Sequence, residues 1–462
     1  MGLLEYAQKK VLQDNPRSIN FALKFARGTF KIRQSFRRNE KRMFKKNKDI
    51  FYQKVERVYA AFKLKTPDRI PICGIAGDAF PARYVGITPR EYLYNIDGKG
   101  LEAHYKFIKD FYDFDLVFPT ALFGCGIGKI LEAMGIKFIK LPGKDIDEMS
   151  FYQFDEREVI KDPNDLKNIN LKYFNEMVMP EILEIALPKK QRSKTTKSMT
   201  KIGNMAMKFF FRYMHHLDRT EAMGVPMIIG GQGIQPFDIV CLFFRGLMKI
   251  SGDIRRYPDD IRKLCDKLAK PLLNSFIISV KAFQKIREIP SEYNIDPDLF
   301  IDEKSRKMNI RKSLFFVCER AFMMNPRQFE KIAFPSLNYV IKGLCDNGLT
   351  PILQFEQDVT HLLPIIRKLP GPGKCVFSCD ASDIQKAKEI LGDHMCIIGN
   401  VPLSLFTVGT PNDIDKYVKN LVDTVGKEPG YIIGPALSIP GESKPENVKA
   451  FLNAALKYGK LS

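Results

Sequence analysis

From about residue 66 onward, short apolar runs alternate with stretches of helical periodicity. The runs are Ile70–Ala76, Asp115–Pro119, Val225–Gly230, Leu314–Cys318, 351–355, 375–379, 396–400 and Tyr431–Gly434. Short apolar runs ahead of a 3.6-residue periodicity predict buried parallel strands in βα units. Eight such strands separated by helices predict an α/β fold, a (β/α)8 TIM barrel rather than an open sheet. Thr88-Pro89-Arg90-Glu91 marks a helix start with proline in its first turn. The last helix is expected to start near Ser443, with Pro445 and Glu446 in its first turn, and to end near Tyr458. Gly124-Cys125-Gly126-Ile127-Gly128 lacks the spacing of a dinucleotide-binding loop.

In a barrel of this kind, polar residues just past the strands' C-terminal ends build the active site. The stretch 350–400 places Gln354, Glu356, Asp358, Asp380 and Asn400 at three successive strand ends. Glu356 and Asp358 are two residues apart and would share a face if the strand continues that far. Such a pair can share a proton or hold a hard divalent cation such as Mg²⁺ or Ca²⁺. The competing reading makes Asp358 the cap of a helix starting near Val359, with Glu356 paired to a basic residue. Asp380, beside Ser382, either joins the site or caps the helix from Ile384. Glu356, Asp358 and Asp380 are the catalytic candidates. Gln354, Asn400, and Gln232 and Gln235 in the loop expected after the third strand, are the candidates for hydrogen bonding a substrate.

Charge adds a second theme. The chain of 462 residues carries a formal net charge of +20, concentrated in two blocks. Residues 24–48 and 189–219 interleave lysines and arginines with aromatic residues. Residues 1–65 therefore read as a basic helical extension, and about 176–222 as a basic helical insertion in a barrel spanning 66–462. Such an excess favours an anionic small molecule, an anionic membrane surface or an acidic partner. No nucleic-acid motif accompanies it, so nucleic acid is not an expected partner. Nine cysteines without a C-x-x-C pair read as reduced thiols. With no apolar run of about 18 residues or more and no secretory signal layout at the N-terminus, a cytoplasmic protein is expected, peripheral to a membrane if its basic segments dock there.

Several stretches resemble the uroporphyrinogen decarboxylase (URO-D) superfamily. They are G-L-T-P-I-L-Q-F-E-Q-D, G-N-V-P-L-S-L-F-T-V-G-T-P-N-D-I and S-I-P-G-E-S-K-P-E-N-V-K-A-F, with upstream echoes in P-D-R-I-P, V-P-M-I-I-G-G-Q-G-I-Q-P-F and M-N-P-R-Q-F-E-K-I-A-F-P. The resemblance spans about residues 66–460. It implies either decarboxylation of a tetrapyrrole or methyl transfer from a corrinoid protein to a thiol through zinc. The G-N-V-P and G-T-P-x-x-I patterns resemble the methyltransferase branch more closely. The zinc ligands of that branch fall here at Gln354, Glu356 and Leu437, so the usual His/Cys zinc site is not expected. The decarboxylases' first arginine falls near Ala79, their aspartate near Thr120 and their late histidine at Leu437. Only Arg83 matches, as a candidate anchor for a substrate carboxylate.

The sequence thus points to a methyltransferase-like barrel acting on a corrinoid-linked or small anionic substrate, with a corrinoid protein as an implied partner and a homodimer as an allowed assembly. A diverged tetrapyrrole or polycarboxylate decarboxylase and a non-catalytic binding protein are the alternatives.

Overall fold

The computed structural model describes residues 40, 42–75, 79–95, 99–118, 126–134, 139–154, 160–167, 205, 216–217, 219–227, 231–287 and 312–461. Most of the basic insertion and the first 39 residues lie outside that set.

Eight parallel strands form the barrel: β1 (Cys73–Gly74), β2 (Leu116–Val117), β3 (Gly231–Ile234), β4 (Ser313–Cys318), β5 (Thr350–Phe355), β6 (Val376–Cys379), β7 (Cys396–Ile398) and β8 (Tyr431–Ile432). β3 to β8 pair consecutively in one sheet, and β1 pairs with β2. Two parallel bridges join these parts, Ile72 to Ile433 and Val117 to Met227, so the strand order closes on itself. A separate antiparallel pair, Ile139–Lys140 with Gln153–Phe154, lies outside the barrel. No helix among the described residues is long and apolar enough to cross a membrane.

Side chains alternate as a barrel requires. Leu314, Phe316, Leu353, Phe355, Phe377, Ile397, Tyr431 and Ile433 join the large cluster that packs the strands against the helices. Cys73, Leu116, Ile352, Val376, Cys396, Ile398 and Ile432 form a second cluster, in the lumen.

The lumen cluster is completed by the chain's own N-terminal part. Residues 42–62 form a helix, α1, whose Phe44, Phe51, Val55, Val58, Ala61 and Phe62 pack with those strand residues. Arg57 fixes α1 to the barrel, and Arg69 shares its buried partner. Arg57 donates to both Asp68 oxygens, at 2.6 and 2.5 Å, and to Asp115 at 2.5 Å. Arg69 donates to both oxygens of Asp115, which also accepts the Ile72 N–H at 2.8 Å. Asp115 is fully buried, and its charge is met by two guanidinium groups and a backbone donor. The cationic residues Arg42, Lys45 and Lys46 lie on the outer face of α1, exposed or half-exposed.

The structure moves the third strand. The sequence reading ends it at Gly230 and treats Gly231–Gln235 as a loop. Instead Gly231–Ile234 pairs with Leu314–Val317, so Gln232 sits inside a strand, in register with Phe315. The glycines have a packing reason. A Cβ on Gly233 would lie 2.6 Å from the Phe316 ring, and one on Gly231 would lie 3.1 Å from Leu314. Of the helix ends, Thr88 and Glu91 form the expected capping box. The last helix, Pro445–Tyr458, has Lys444 rather than Ser443 at its N-cap.

Candidate active site

The lumen-facing positions change character toward the C-terminal ends of the strands. Ile352 is followed on its face by Gln354 and Glu356, and Val376 by Ser378 and Asp380. Gln354 and Ser378 are paired in register and joined by a 2.6 Å bond from the Ser378 hydroxyl to the Gln354 Oε1. Above them lies a carboxylate group made of Glu356, Asp380, Glu319 just past β4, and Asp238 on the turn after β3. Arg320 is the cation among them.

Burial sets the electrostatics. It pushes the Glu356 carboxyl up to about 7, with the neighbouring charges of Glu319 and Asp380 adding to the effect and Arg320 opposing it. Burial also raises Glu319, against the pull of Arg320. Asp380 is raised by burial, and the Gln357 N–H, 2.9 Å from its Oδ2, works the other way. Asp238 is fully buried and pushed up to about 8, first by burial and then by Glu319. Three donors oppose that rise: the Glu319 N–H at 2.6 Å, the Arg320 N–H at 3.1 Å and the Gln235 side-chain amide at 2.7 Å. Asp238 therefore fixes the backbone that presents Glu319 and Arg320.

Three buried polar atoms here have no protein hydrogen-bond partner: Gln235 Oε1, Gln354 Nε2 and Arg320 Nε. Buried polar groups are nearly always satisfied, so such atoms at a barrel mouth suit contacts with bound small molecules or water.

Not every expected residue joins this group. Asp358 does not. The strand ends at Phe355, and Gln357 takes a left-handed conformation at φ +63°, which breaks the two-residue alternation after Glu356. The Asp358 carboxylate accepts the Thr360 N–H at 2.8 Å and hydroxyl at 2.5 Å, and these bonds hold it below the usual carboxylate range. It is a local cap, so the cation seat expected between Glu356 and Asp358 is not formed. Among the described residues, no three His, Cys, Asp or Glu side chains are grouped as metal ligands.

Asn400 is also placed differently. Its amide nitrogen donates to the carbonyls of Asp380 and Ser382, at 3.2 and 3.1 Å, and to the Cys379 sulfur at 3.5 Å. It clips the loop after β6. Its Oδ1 is buried without a protein partner, and the residue lines a cleft of about 470 Å³ between the helices Ile384–Leu391 and Pro411–Leu421. The helix Ile384–Leu391 is capped by Asp383, which leaves Asp380 for the mouth. Ser382 instead accepts the Val359 N–H at 2.9 Å.

Arg83, on the short helix Ala79–Tyr84 after β1, pairs with Glu442 at 3.0 Å and donates to the Met149 carbonyl at 3.0 Å. Its guanidinium is tied to the loop after β8 rather than to the carboxylate group.

The sequence reading missed Asp238, Glu319 and Arg320. The signal for two of them was present: F-V-C-E-R places Glu319 and Arg320 directly past the fourth strand, as Glu356 lies past the fifth. Asp238 carries no such signal, because its role depends on a contact 81 residues away in the chain.

The zinc chemistry implied by the methyltransferase resemblance does not fit these residues. An amide already bonded to Ser378, a carboxylate and Leu437 do not make a thiolate and imidazole set.

Residues 315–458 match the family described as uroporphyrinogen decarboxylase (URO-D). Uroporphyrinogen decarboxylase of Pseudoalteromonas atlantica is 23% identical over 198 residues, covering 39% of this chain and 53% of that protein. The enzyme of the same name from Syntrophotalea carbinolica is 25% identical over 130 residues, covering 28% of this chain and 36% of its own length. The chain thus spans about half, or less, of the length of these curated relatives. Among solved structures, a methyltransferase from Methanosarcina mazei superposes with a TM-score of 0.53 at 15% identity, covering 87% of this chain and 98% of that one. The TIM-barrel α/β fold and the resemblance to the URO-D superfamily, with a structural neighbour among methyltransferases, are both borne out.

Proposed function

We propose that this URO-D superfamily barrel is an enzyme that transfers a methyl group from a corrinoid-linked donor, with Glu356 as general base toward the acceptor. One observation carries the reading. Glu356 lies half-buried among carboxylates at the C-terminal mouth, with its carboxyl raised to about 7. A group poised near neutrality can take up a proton and release it again. A methyl acceptor such as a thiol must lose its proton to become nucleophilic. Where zinc would lower the acceptor's pKa, this chain offers a carboxylate base instead. Gln235, Gln354 and Arg320, each with a polar atom free of protein partners, would position the acceptor. A neutral or cationic acceptor suits this acidic lining better than the small anion suggested by the net charge.

The names of the curated relatives favour a second reading, decarboxylation of a tetrapyrrole polycarboxylate. The electrostatics weigh against it. A substrate bearing several carboxylates would meet the carboxyls of Glu356, Asp380 and Glu319, and the Arg83 guanidinium is already engaged by Glu442.

The test is a pair of assays on the full chain. Methylcobalamin is supplied with a panel of thiols and amines, and cob(I)alamin formation is followed by absorbance. A porphyrinogen is incubated separately and its carboxylates counted by mass. Demethylation by the wild-type chain that drops at least 100-fold in Glu356→Gln supports the proposal. Carboxylate loss from the porphyrinogen supports the second reading. Inactivity in both assays would sink the first and leave a binding role.

A further inference from the structure

Cys345 lies in the last turn of the helix Phe334–Asp346, and Cys375 immediately precedes β6. Their sulfurs are 3.8 Å apart. This is the N-terminal end of the barrel, opposite the carboxylate mouth. The two thiols are not equivalent. Cys345 is partly exposed, whereas Cys375 is fully buried. Cys73, Cys241, Cys265, Cys318, Cys379 and Cys396 are buried as well, so Cys345 is the accessible thiol among the described residues.

The surroundings favour the thiolate of Cys345. The Lys63 ammonium, just past α1, donates to the Gly373 carbonyl at 2.8 Å, two residues before Cys375. Lys374 lies between, with its carbonyl 3.9 Å from the Cys345 sulfur. The hydrogen bond shared with Cys375 lowers the Cys345 thiol below its ordinary value, and Lys374 and Lys63 act in the same direction, against burial and the adjacent Asp346 carboxylate. Cys375 shifts the other way, well above the ordinary value, through the same hydrogen bond and burial.

We propose that Cys345 and Cys375 are a reversible redox pair, in which Cys345 reacts with a peroxide and Cys375 resolves the product to a disulfide. In the first step the Cys345 thiolate attacks one oxygen of hydrogen peroxide. The O–O bond breaks, hydroxide leaves, and the sulfur is oxidised to a sulfenic acid. In the second step the Cys375 sulfur attacks the sulfenic sulfur. The S–O bond breaks, and the hydroxyl group leaves as water with the thiol proton. A dithiol reductant reverses the sequence by thiol–disulfide exchange. The bond would span 30 positions. It would fasten the helix before β5 to the start of β6 beside the Lys63–Gly373 contact, which joins the end of α1 to the barrel.

The test uses the full chain with all nine cysteines. After hydrogen peroxide treatment, non-reducing peptide mapping should show one Cys345–Cys375 crosslink, two mass units below the sum of its thiol peptides and reversed by dithiothreitol. Oxidation should raise Tm by a few degrees, because the crosslink constrains the unfolded chain. In Cys375→Ser the crosslink should vanish, and dimedone should trap a sulfenic acid on Cys345. Cys375→Ala gives the same readout if serine is not tolerated at this buried position. Lys63→Met should slow dimedone labelling several-fold in the Cys375→Ser background. Recovery of Cys375 as a free thiol from oxidised wild-type protein, with Cys345 overoxidised or linked elsewhere, would overturn the proposal.

Discussion

The Gln357 backbone N–H donates to the Asp380 carboxylate at 2.9 Å, and this bond ties the end of β5 to the end of β6. Gln357 holds φ at +63°, a conformation that costs a non-glycine residue on the order of 1 kcal/mol. The charge-assisted bond offsets part of that cost. The turn leaves Glu356 as the last residue aimed along the lumen face and sends Asp358 to the surface, where it caps the Thr360 turn. Two carboxylates that look alike in the sequence thus acquire opposite properties. Glu356 is raised to about 7, and Asp358 is held below its ordinary value.

The rise at Glu356 has a consequence for stability. Its carboxyl titrates near 7 in the folded chain and near the ordinary 4.5 when unfolded. Between those values the folded state binds more protons than the unfolded state, so stability falls as pH rises through the window. Well above pH 7 the full penalty, on the order of 3 kcal/mol, is present. Glu356→Gln removes it. The variant should be more stable than the wild type by that order at pH 8, with most of the difference gone by pH 4.5. Denaturant unfolding at both pH values measures this. A variant no more stable at pH 8 than the parent would show that Glu356 is not raised.

Asp380 contributes to that rise as a like charge. Asp380→Asn keeps an oxygen to accept the Gln357 N–H while removing the charge. The Glu356 midpoint should then fall by roughly half a pH unit to one unit, the range expected for a single partly screened neighbour. Carboxyl-carbon NMR titration, with the Glu356 resonance assigned by its loss in Glu356→Gln, reads the shift directly. An unchanged midpoint would assign the rise to burial and Glu319, with no part from Asp380.

These two residues were legible in the chain because a barrel strand shows itself locally. T-P-I-L-Q-F-E and K-C-V-F-S-C-D each give an apolar run followed by a polar end, and the structure places Glu356 and Asp380 together as that pattern implies. β3 was displaced in the reading because Gly231 and Gly233 look like loop residues in isolation. They make room for Leu314 and Phe316 on the neighbouring strand, 83 positions away in both registered pairs. α1 was legible as a basic helix with a packed face, but the partners of that face were not, since Phe51, Val58 and Phe62 meet strand residues scattered from Cys73 to Ile432. Asn400 sat at the expected strand end, yet its side chain bonds to the adjacent loop. A strand-end rule gives the position of a residue and leaves the direction of its side chain to local contacts.

Asp238 tests the separation of support from chemistry. It accepts the backbone N–H groups of Glu319 and Arg320 and has no exposure to solvent. Asp238→Ala strands both donors in the core, each unmet donor costing about 1–3 kcal/mol. The variant should lose roughly 3 kcal/mol of stability in denaturant unfolding. Asp238→Asn retains one acceptor oxygen and, at neutral pH, replaces a carboxyl already raised to about 8, so it should lose less than half as much. Equal losses in the two variants would mean that the second oxygen and its charge matter more than the donors.

Arg57 is the corresponding point at the other end of the barrel. Its guanidinium bridges Asp68 and the fully buried Asp115, and through them α1 is held against the strands whose lumen it fills. Arg57→Ala leaves Asp115 with Arg69 and the Ile72 N–H as partners. Removing one member of a buried charge network costs about 3–5 kcal/mol, mostly from the charge left behind. Asp115→Asn in the same background relieves that charge, so the double variant should recover part of the loss. A double-mutant cycle in guanidinium unfolding gives the coupling, expected at 1.5 kcal/mol or more for a contact of this kind. Strictly additive losses would mean that Arg57 and Asp115 are not coupled, and that α1 is held by the packing of Phe51, Val58 and Phe62 and by the Arg57–Asp68 pair.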